Sequence, residues 1–285
     1  MEILEVKDLC KNYPGFTLDH VSFSLKPGYI MGFIGKNGAG KTTTIKSIYQ
    51  LIHFDAGEIN VFGKKLSDYN ETELKQDISL MLGGMDIYPN FRLREITIAI
   101  KDFYRHFDET RYQSLLHKFS LDPEKRFKEL SNGMKTKYLL TLAMSHNAKL
   151  LLLDEPTSGL DPFSRDEILT EFQEFIKDGE HSILFSTQII SDLEAIADYI
   201  TYIKDGKIVK SEEKEKFIDD YRLIKYTKEE EASIPEEYLI GRRKSPVCIE
   251  ALIRKENLAK IPSTIMVLEA NIETIMIFTE RGLAL

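Results

Sequence analysis

Two groups of residues in the 285-residue chain have the types and spacing to handle a phosphate chain. Gly35-Lys36-Asn37-Gly38-Ala39-Gly40-Lys41-Thr42 satisfies the pattern G-x-x-x-x-G-K-[ST]. Its glycines permit the tight turn that points successive N–H groups at phosphate oxygens. A helix starting at the end of the loop and carrying Thr43 adds its positive N-terminal end. Lys41 is expected to reach the β- and γ-phosphates, and the Thr42 hydroxyl to ligate Mg²⁺. At ordinary composition the pattern arises by chance in roughly one chain in a hundred of this size. Here an apolar run precedes it and helical residues follow, the setting such a loop requires. Gly35, Asn37, Gly38, Ala39, Gly40, Lys41, Thr42 and Thr43 are the expected nucleotide contacts.

The second group is Leu150-Leu151-Leu152-Leu153-Asp154-Glu155. Four apolar residues before two acids read as a parallel strand buried on both faces, with its carboxyl end where ligands bind. Asp154 suits Mg²⁺, as the second acid of a P-loop NTPase does. Glu155 sits one residue further on, placed to polarise an attacking water or accept its proton.

The elements that must position these groups alternate in type. Val21, Phe23 and Leu25 alternate with polar residues, residues 29–34 form an apolar run, and residues 43–51 have helical character. Asp55-Ala56-Gly57 breaks that helix before a strand over 58–62. From 93 to 121 the spacing becomes helical, through Ile96, Ala99, Ile100 and Phe103, then Tyr112, Leu115, Leu116 and Phe119. The strand at 150–153, a helix over 162–177 and a strand over 182–186 follow. Strands alternating with helices imply a mostly parallel sheet covered on both faces. Near Ser211 the texture shifts, and charge runs at 212–216 and 228–231 read as solvated faces of a linker. A small unit then closes on a helix with Asn271 as N-cap and Ile272, Ile275 and Met276 on one face.

Three further motifs extend the pattern. Leu130-Ser131-Asn132-Gly133-Met134 resembles the LSGGQ signature of ABC-type ATPases, Ser158-Gly159-Leu160-Asp161 resembles their D-loop, and Tyr13 falls where their adenine-stacking aromatic does. With the phosphate loop and acid pair in the same order, the resemblance covers about residues 2–211. It implies an α/β fold of the P-loop NTPase class: a mostly parallel core sheet, an antiparallel β subdomain and a helical subdomain at about 90–146. A small α+β accessory unit at 212–285 completes it. It also implies two subunits closing around ATP and Mg²⁺, with Ser131, Gly133 and Asp161 among the nucleotide-binding residues and Ser131 and Gly133 contacting the γ-phosphate held by the opposite subunit. The resemblance further implies a separate membrane permease as partner, docked near residues 88–93.

Three positions depart from the family pattern. The switch histidine expected after Ser186-Thr187 is Gln188, which donates a hydrogen bond but carries no charge. The glutamine expected after the strand at 78–82 is Gly83, and the signature has Asn132 and Met134 for Gly and Gln. Either the subunit pairs with a different ATPase, leaving one weakened site, or it forms a homodimer in which Glu155 suffices and Gln188 replaces the histidine in positioning. A third reading makes Gln188 an introduced trap. Glu155 and Gln188 are the expected catalytic residues.

Composition narrows the alternatives. With 38 Lys+Arg against 46 Asp+Glu and a pI near 5.4, the chain lacks the clustered cation of a nucleic-acid binder. A soluble non-transport ATPase is therefore disfavoured, and no nucleic-acid partner is expected. No run reaches the roughly 18 apolar residues of a membrane span, and the N-terminus does not read as a signal peptide. Cys10 and Cys248 match no metal or redox spacing and read as packed, reduced thiols. A cytoplasmic protein peripheral on the inner membrane face is expected, exporting peptides, antibiotics or related amphipathic compounds, as the tail's resemblance to exporter ATPases implies.

Overall fold

The apolar–polar alternation near the N-terminus folds as two long antiparallel strands, β1 (Leu4–Tyr13) and β2 (Phe16–Leu25). Leu4 and Val6 are buried, then Leu9, because register shifts on either side of Leu9 displace the pleat by one residue. The chain continues through β3 (Ile30–Ile34), α1 (Lys41–Ile48), β4 (Ala56–Val61), β5 (Lys64–Lys65), α2 (Glu71–Asp77) and β6 (Ile78–Leu82). Three helices follow, α3 (Leu93–Lys101), α4 (Glu109–Lys118) and α5 (Asn132–Ser145). Then come β7 (Leu150–Asp154), α6 (Pro162–Phe175), β8 (Ser182–Thr187), α7 (Ile190–Ile196), β9 (Tyr199–Lys204) and β10 (Lys207–Glu213). This computed structural model describes residues 1–83 and 88–282, and the chain divides into two units, Met1–Ser211 and Glu212–Leu285.

The first unit holds an antiparallel sheet in the order β2-β1-β4-β5 and a six-stranded sheet in the order β10-β9-β3-β8-β7-β6. Every residue of β3, β7 and β8 is buried, as the unbroken apolar runs require of strands covered on both faces. Their parallel register aligns the carboxyl ends: Ile34 pairs with Thr187, Asp154 with Ser186, and Leu82 with Asp154. The next residues of these strands are Gly35, Gln188, Glu155 and Gly83, so the carboxyl end of the sheet gathers residues from four distant stretches of sequence.

In the helical subdomain the second expected helix holds, with Tyr112, Leu115, Leu116 and Phe119 buried. The first differs. α3 buries Leu93, Ile96 and Thr97, while Ala99 and Phe103 are exposed. The chain turns after Lys101, with Phe103 N–H bonded to Ile100 O, and Phe103 therefore lies beyond the helical face. Thr97 anchors the subdomain instead, its hydroxyl 2.7 Å from Tyr112 Oη and 2.9 Å from Tyr138 Oη.

The second unit contains α8 (Lys214–Asp219), β11 (Tyr221–Tyr226), β12 (Leu239–Lys244), β13 (Ile249–Arg254), β14 (Met266–Glu269) and α9 (Ile272–Arg281). Its sheet, ordered β12-β13-β11-β14, encloses a core that includes Ile224, Tyr226, Ile249 and Ile253. Asn271 caps α9, accepting from Thr274 N at 2.8 Å. Phe278, not Met276, joins Ile272 and Ile275 on the buried face. The charge runs are folded structure rather than linker. Residues 212–216 span the end of β10 and the start of α8, and Glu231 pairs with Arg242 and Lys244. Both cysteines are half-buried rather than packed away. Cys10 Sγ accepts from His20 N–H at 3.3 Å.

Candidate functional site

The loop after β3 turns through left-handed glycines, Gly38 at φ 81° and Gly40 at φ 116°. The left-handed φ of Gly40 demands glycine there, and a Cβ would also lie 2.7 Å from Leu18 Cδ1, which would have to move aside. This turn delivers Lys41 and Thr42 to the first turn of α1 with their side chains over the carboxyl end of the sheet. Lys41 is 5% exposed. Its Nζ donates to Gly35 O at 2.6 Å and Lys36 O at 3.2 Å, and lies 3.5 Å from Glu155 Oε1. Burial pulls the ammonium pKa down, opposed by the charges of Glu155 and Asp154.

Asp154 ties the two motifs together. Its Oδ2 accepts from Thr42 Oγ1 at 2.7 Å and its Oδ1 from Ser186 Oγ at 2.5 Å. Glu155 is held by its own backbone, whose N–H donates to Ser186 O at 3.1 Å and Ser186 Oγ at 3.0 Å. Its φ of 52° is left-handed, a conformation that costs a non-glycine residue about 1–2 kcal/mol and concentrates at functional sites. Gln188 Nε2 donates to Asn37 Oδ1 at 2.7 Å and Glu155 Oε1 at 3.2 Å. Gly83 abuts the acid pair: a Cβ there would meet Asp154 O at 3.1 Å and Glu155 Cβ at 3.7 Å.

A cavity of about 430 Å³ lies against these residues, lined by Asn37, Gly38, Gly40, Lys41, Thr42, Thr43 and Glu155, with Gly15, Phe16 and Lys36. Ala39 is buried within the loop. Tyr13 is outside this lining, 41% exposed, with Lys11 Nζ 5.5 Å from its ring centre. Phe16 was missed by sequence reasoning. The second aromatic across the Pro14-Gly15 turn was the available signal.

The remaining predicted residues form a second cluster. Ser131 caps α5, its Oγ accepting from Met134 N at 3.2 Å, and Asp161 caps α6 through Phe163 N and Ser164 N at 3.1 and 3.0 Å. A Cβ at Gly133 would meet Leu160 Cδ2 at 3.5 Å and Ser164 Oγ at 3.8 Å, so the signature helix and D-loop are neighbours. None of Ser131, Gly133 and Asp161 lines the phosphate cavity. The expected docking segment is exposed at Tyr88 and Phe91, 59% and 53%, with the two rings edge to face at 5.9 Å.

The chain's similarities agree with this geometry. The family model described as "ABC transporter" matches residues 18–158. The ABC transporter ATP-binding protein YtrB of Bacillus subtilis is 28% identical over 223 residues, 78% of this chain and 76% of that protein. The bacitracin transport ATP-binding protein BcrA of Bacillus licheniformis is 32% identical over 210 residues, 73% of this chain and 68% of that one. Among solved structures, an ATP-binding subunit of an ABC transporter superposes with a TM-score of 0.68 at 29% identity, covering 74% of this chain and 90% of that chain.

Proposed function

Because this chain belongs to the ABC transporter ATP-binding proteins, which are ATPases, we propose that residues 1–211 bind MgATP at the carboxyl end of the core sheet. They pair there with a second ATPase subunit and drive a separate membrane permease. The observation that carries this reading is the junction of the two motifs, Thr42 with Asp154 at 2.7 Å and Lys41 with Glu155 at 3.5 Å.

Backbone N–H groups at the start of α1 receive the phosphates, and Lys41 swings from the carbonyls of Gly35 and Lys36 onto the β- and γ-phosphates. The Thr42 hydroxyl and Asp154 carboxylate are hard oxygen donors already in contact, a set that fits Mg²⁺. When held there, Mg²⁺ supplies the positive charge that offsets charge on the transferring phosphoryl group. Glu155 orients the attacking water, and Gln188 gives its amide hydrogens to a γ-phosphate oxygen. Tyr13 stacks on the adenine. Ser131 and Gly133 at the start of α5 close on the γ-phosphate of the opposite subunit, with Asp161 at the shared interface. Loss of the γ-phosphate removes that shared anion and lets the subunits part.

No described helix is long and apolar enough to cross a membrane; on this reading the span belongs to the permease chain, and this subunit is peripheral on the inner membrane face. Tyr88 and Phe91 supply the exposed docking surface for that chain. We take the cargo to be peptides, antibiotics or related amphipathic compounds, moved outward; similarity to a bacitracin transport protein supports an antibiotic peptide as cargo. Residues 212–285 serve as an accessory unit.

The test pairs two measurements. Glu155→Gln should retain ATP binding while kcat falls about 10²–10⁴-fold; unchanged turnover sinks the assignment of Glu155. Purification of the native chain from detergent-solubilised membranes should bring a permease with it, and either this ATPase alone or a second one. Absence of any membrane chain removes the transport role and leaves the ATP site standing.

A further inference from the structure

Two enclosed polar atoms form an ion pair that is too long for a hydrogen bond. Asp192 Oδ1 and Arg165 Nε are 3.7 Å apart, and neither has a hydrogen-bond partner. The other carboxylate oxygen of Asp192 accepts from Thr157 Oγ1 at 2.5 Å. Asp192 and Thr157 are both fully buried. Thr157 follows Glu155 and Pro156, and so anchors the backbone that holds Glu155 in its left-handed conformation. Arg165 stands on α6, where its N–H bonds to Asp161 O at 3.0 Å and ties it to the D-loop end of the helix. Asp192 lies in the first turn of α7, just after Gln188.

We infer that Asp192 is a positioning residue for hydrolysis, coupling the helix that begins at Asp161 to the backbone that carries Glu155. The inference rests on the dimeric ATPase reading above. A second subunit pressing on residues 158–161 moves α6 toward α7. A shift of about 1 Å brings Arg165 Nε within hydrogen-bond reach of Asp192 Oδ1. The carboxylate, then satisfied on both oxygens, fixes Thr157 and with it the aim of Glu155. A buried carboxylate with one unsatisfied oxygen is costly, which favours the closed pair. Burial and the charge of Glu155 push the Asp192 carboxyl pKa up, against the pull of Thr157 and Arg165.

The experiment uses the full-length chain and measures kcat, KM and equilibrium ATP binding for Asp192→Asn, Arg165→Lys and the double variant. Each single substitution should lower kcat about tenfold and leave ATP affinity within about twofold. The double variant should be no slower than the slower single, as expected of two residues acting through one contact. Thr157→Ser should keep turnover, whereas Thr157→Val should match Asp192→Asn. Losses that multiply in the double variant, or ATP affinity falling in step with kcat, make these residues merely structural and overturn the inference. Should Asp192→Asn fail to fold, Arg165→Lys with undiminished kcat overturns it equally. A wild-type chain that does not hydrolyse ATP fails the ATPase reading itself; a wild-type chain that does, with unaffected variants, fails this inference alone.

Discussion

The Gln188 amide donates to Glu155 Oε1 at 3.2 Å, placing a neutral side chain against the carboxylate expected to face the attacking water. The same nitrogen reaches Asn37 Oδ1 at 2.7 Å, so one amide spans the phosphate loop and the acid pair. An imidazole here would titrate near neutral pH, and an amide does not.

Turnover should therefore show no titration attributable to this position between about pH 6 and 8. Gln188→His should introduce one. Its kcat should fall on the acid side of about pH 6.5, because an imidazolium pairs with Glu155 and withdraws it from the water. Steady-state pH profiles of both proteins check this. A limb at the same place in the unsubstituted chain assigns the titration to another group.

Tyr13 makes a prediction that separates the base from the phosphates. A stacked aromatic contributes about 0.5–1.5 kcal/mol, so Tyr13→Ala should weaken ATP binding about 2–10-fold and Tyr13→Phe should not. Binding of inorganic tripolyphosphate, which has no base to stack, should be unchanged by either. Equal weakening for both ligands would mean that Tyr13 shapes the loop and does not read the adenine.

His146 predicts an acid sensitivity of folding. Its ring is 3% exposed and stacked on Tyr104 at 3.9 Å, and burial lowers its pKa from 6.5 to about 4 despite nearby backbone acceptors at Leu142 and Ile78. The unfolded chain takes up a proton near pH 6.5 that the native protein refuses until about pH 4. Stability is therefore full above pH 6.5 and declines as pH falls through that window, by up to about 3 kcal/mol. Urea denaturation at pH 7.5 and 4.5 should show the decline. His146→Gln should reduce it, and an unchanged pH dependence would exclude His146 as its source.

The phosphate loop and acid pair were legible because their chemistry is local. Each glycine, lysine and acid acts within one stretch of chain, and the apolar run of Leu150–Leu153 announces its own burial. The helix expected over 162–177 forms over Pro162–Phe175, its start set by Asp161 as cap and Pro162 in the first turn. The helical face of α3 was not legible, because Phe103 keeps the apolar spacing after the helix has stopped at Lys101. Met276 and Phe278 were exchanged for the same kind of reason: periodicity names a stripe, and packing chooses its edge.

Sequence alone singled out the residues proposed to carry chemistry: a loop rich in glycine, a lysine, a hydroxyl and two acids, with Gln188 where the family usually has a histidine. Tertiary structure decided how they meet. Parallel register sets Asp154 beside Ser186, and the loop after β3 brings Thr42 onto Asp154. It also left Arg165 and Asp192 facing each other at 3.7 Å. Spacing along a chain fixes the local turn and the helical face. Contact between stretches a hundred residues apart depends on strand order and register, which no local pattern encodes.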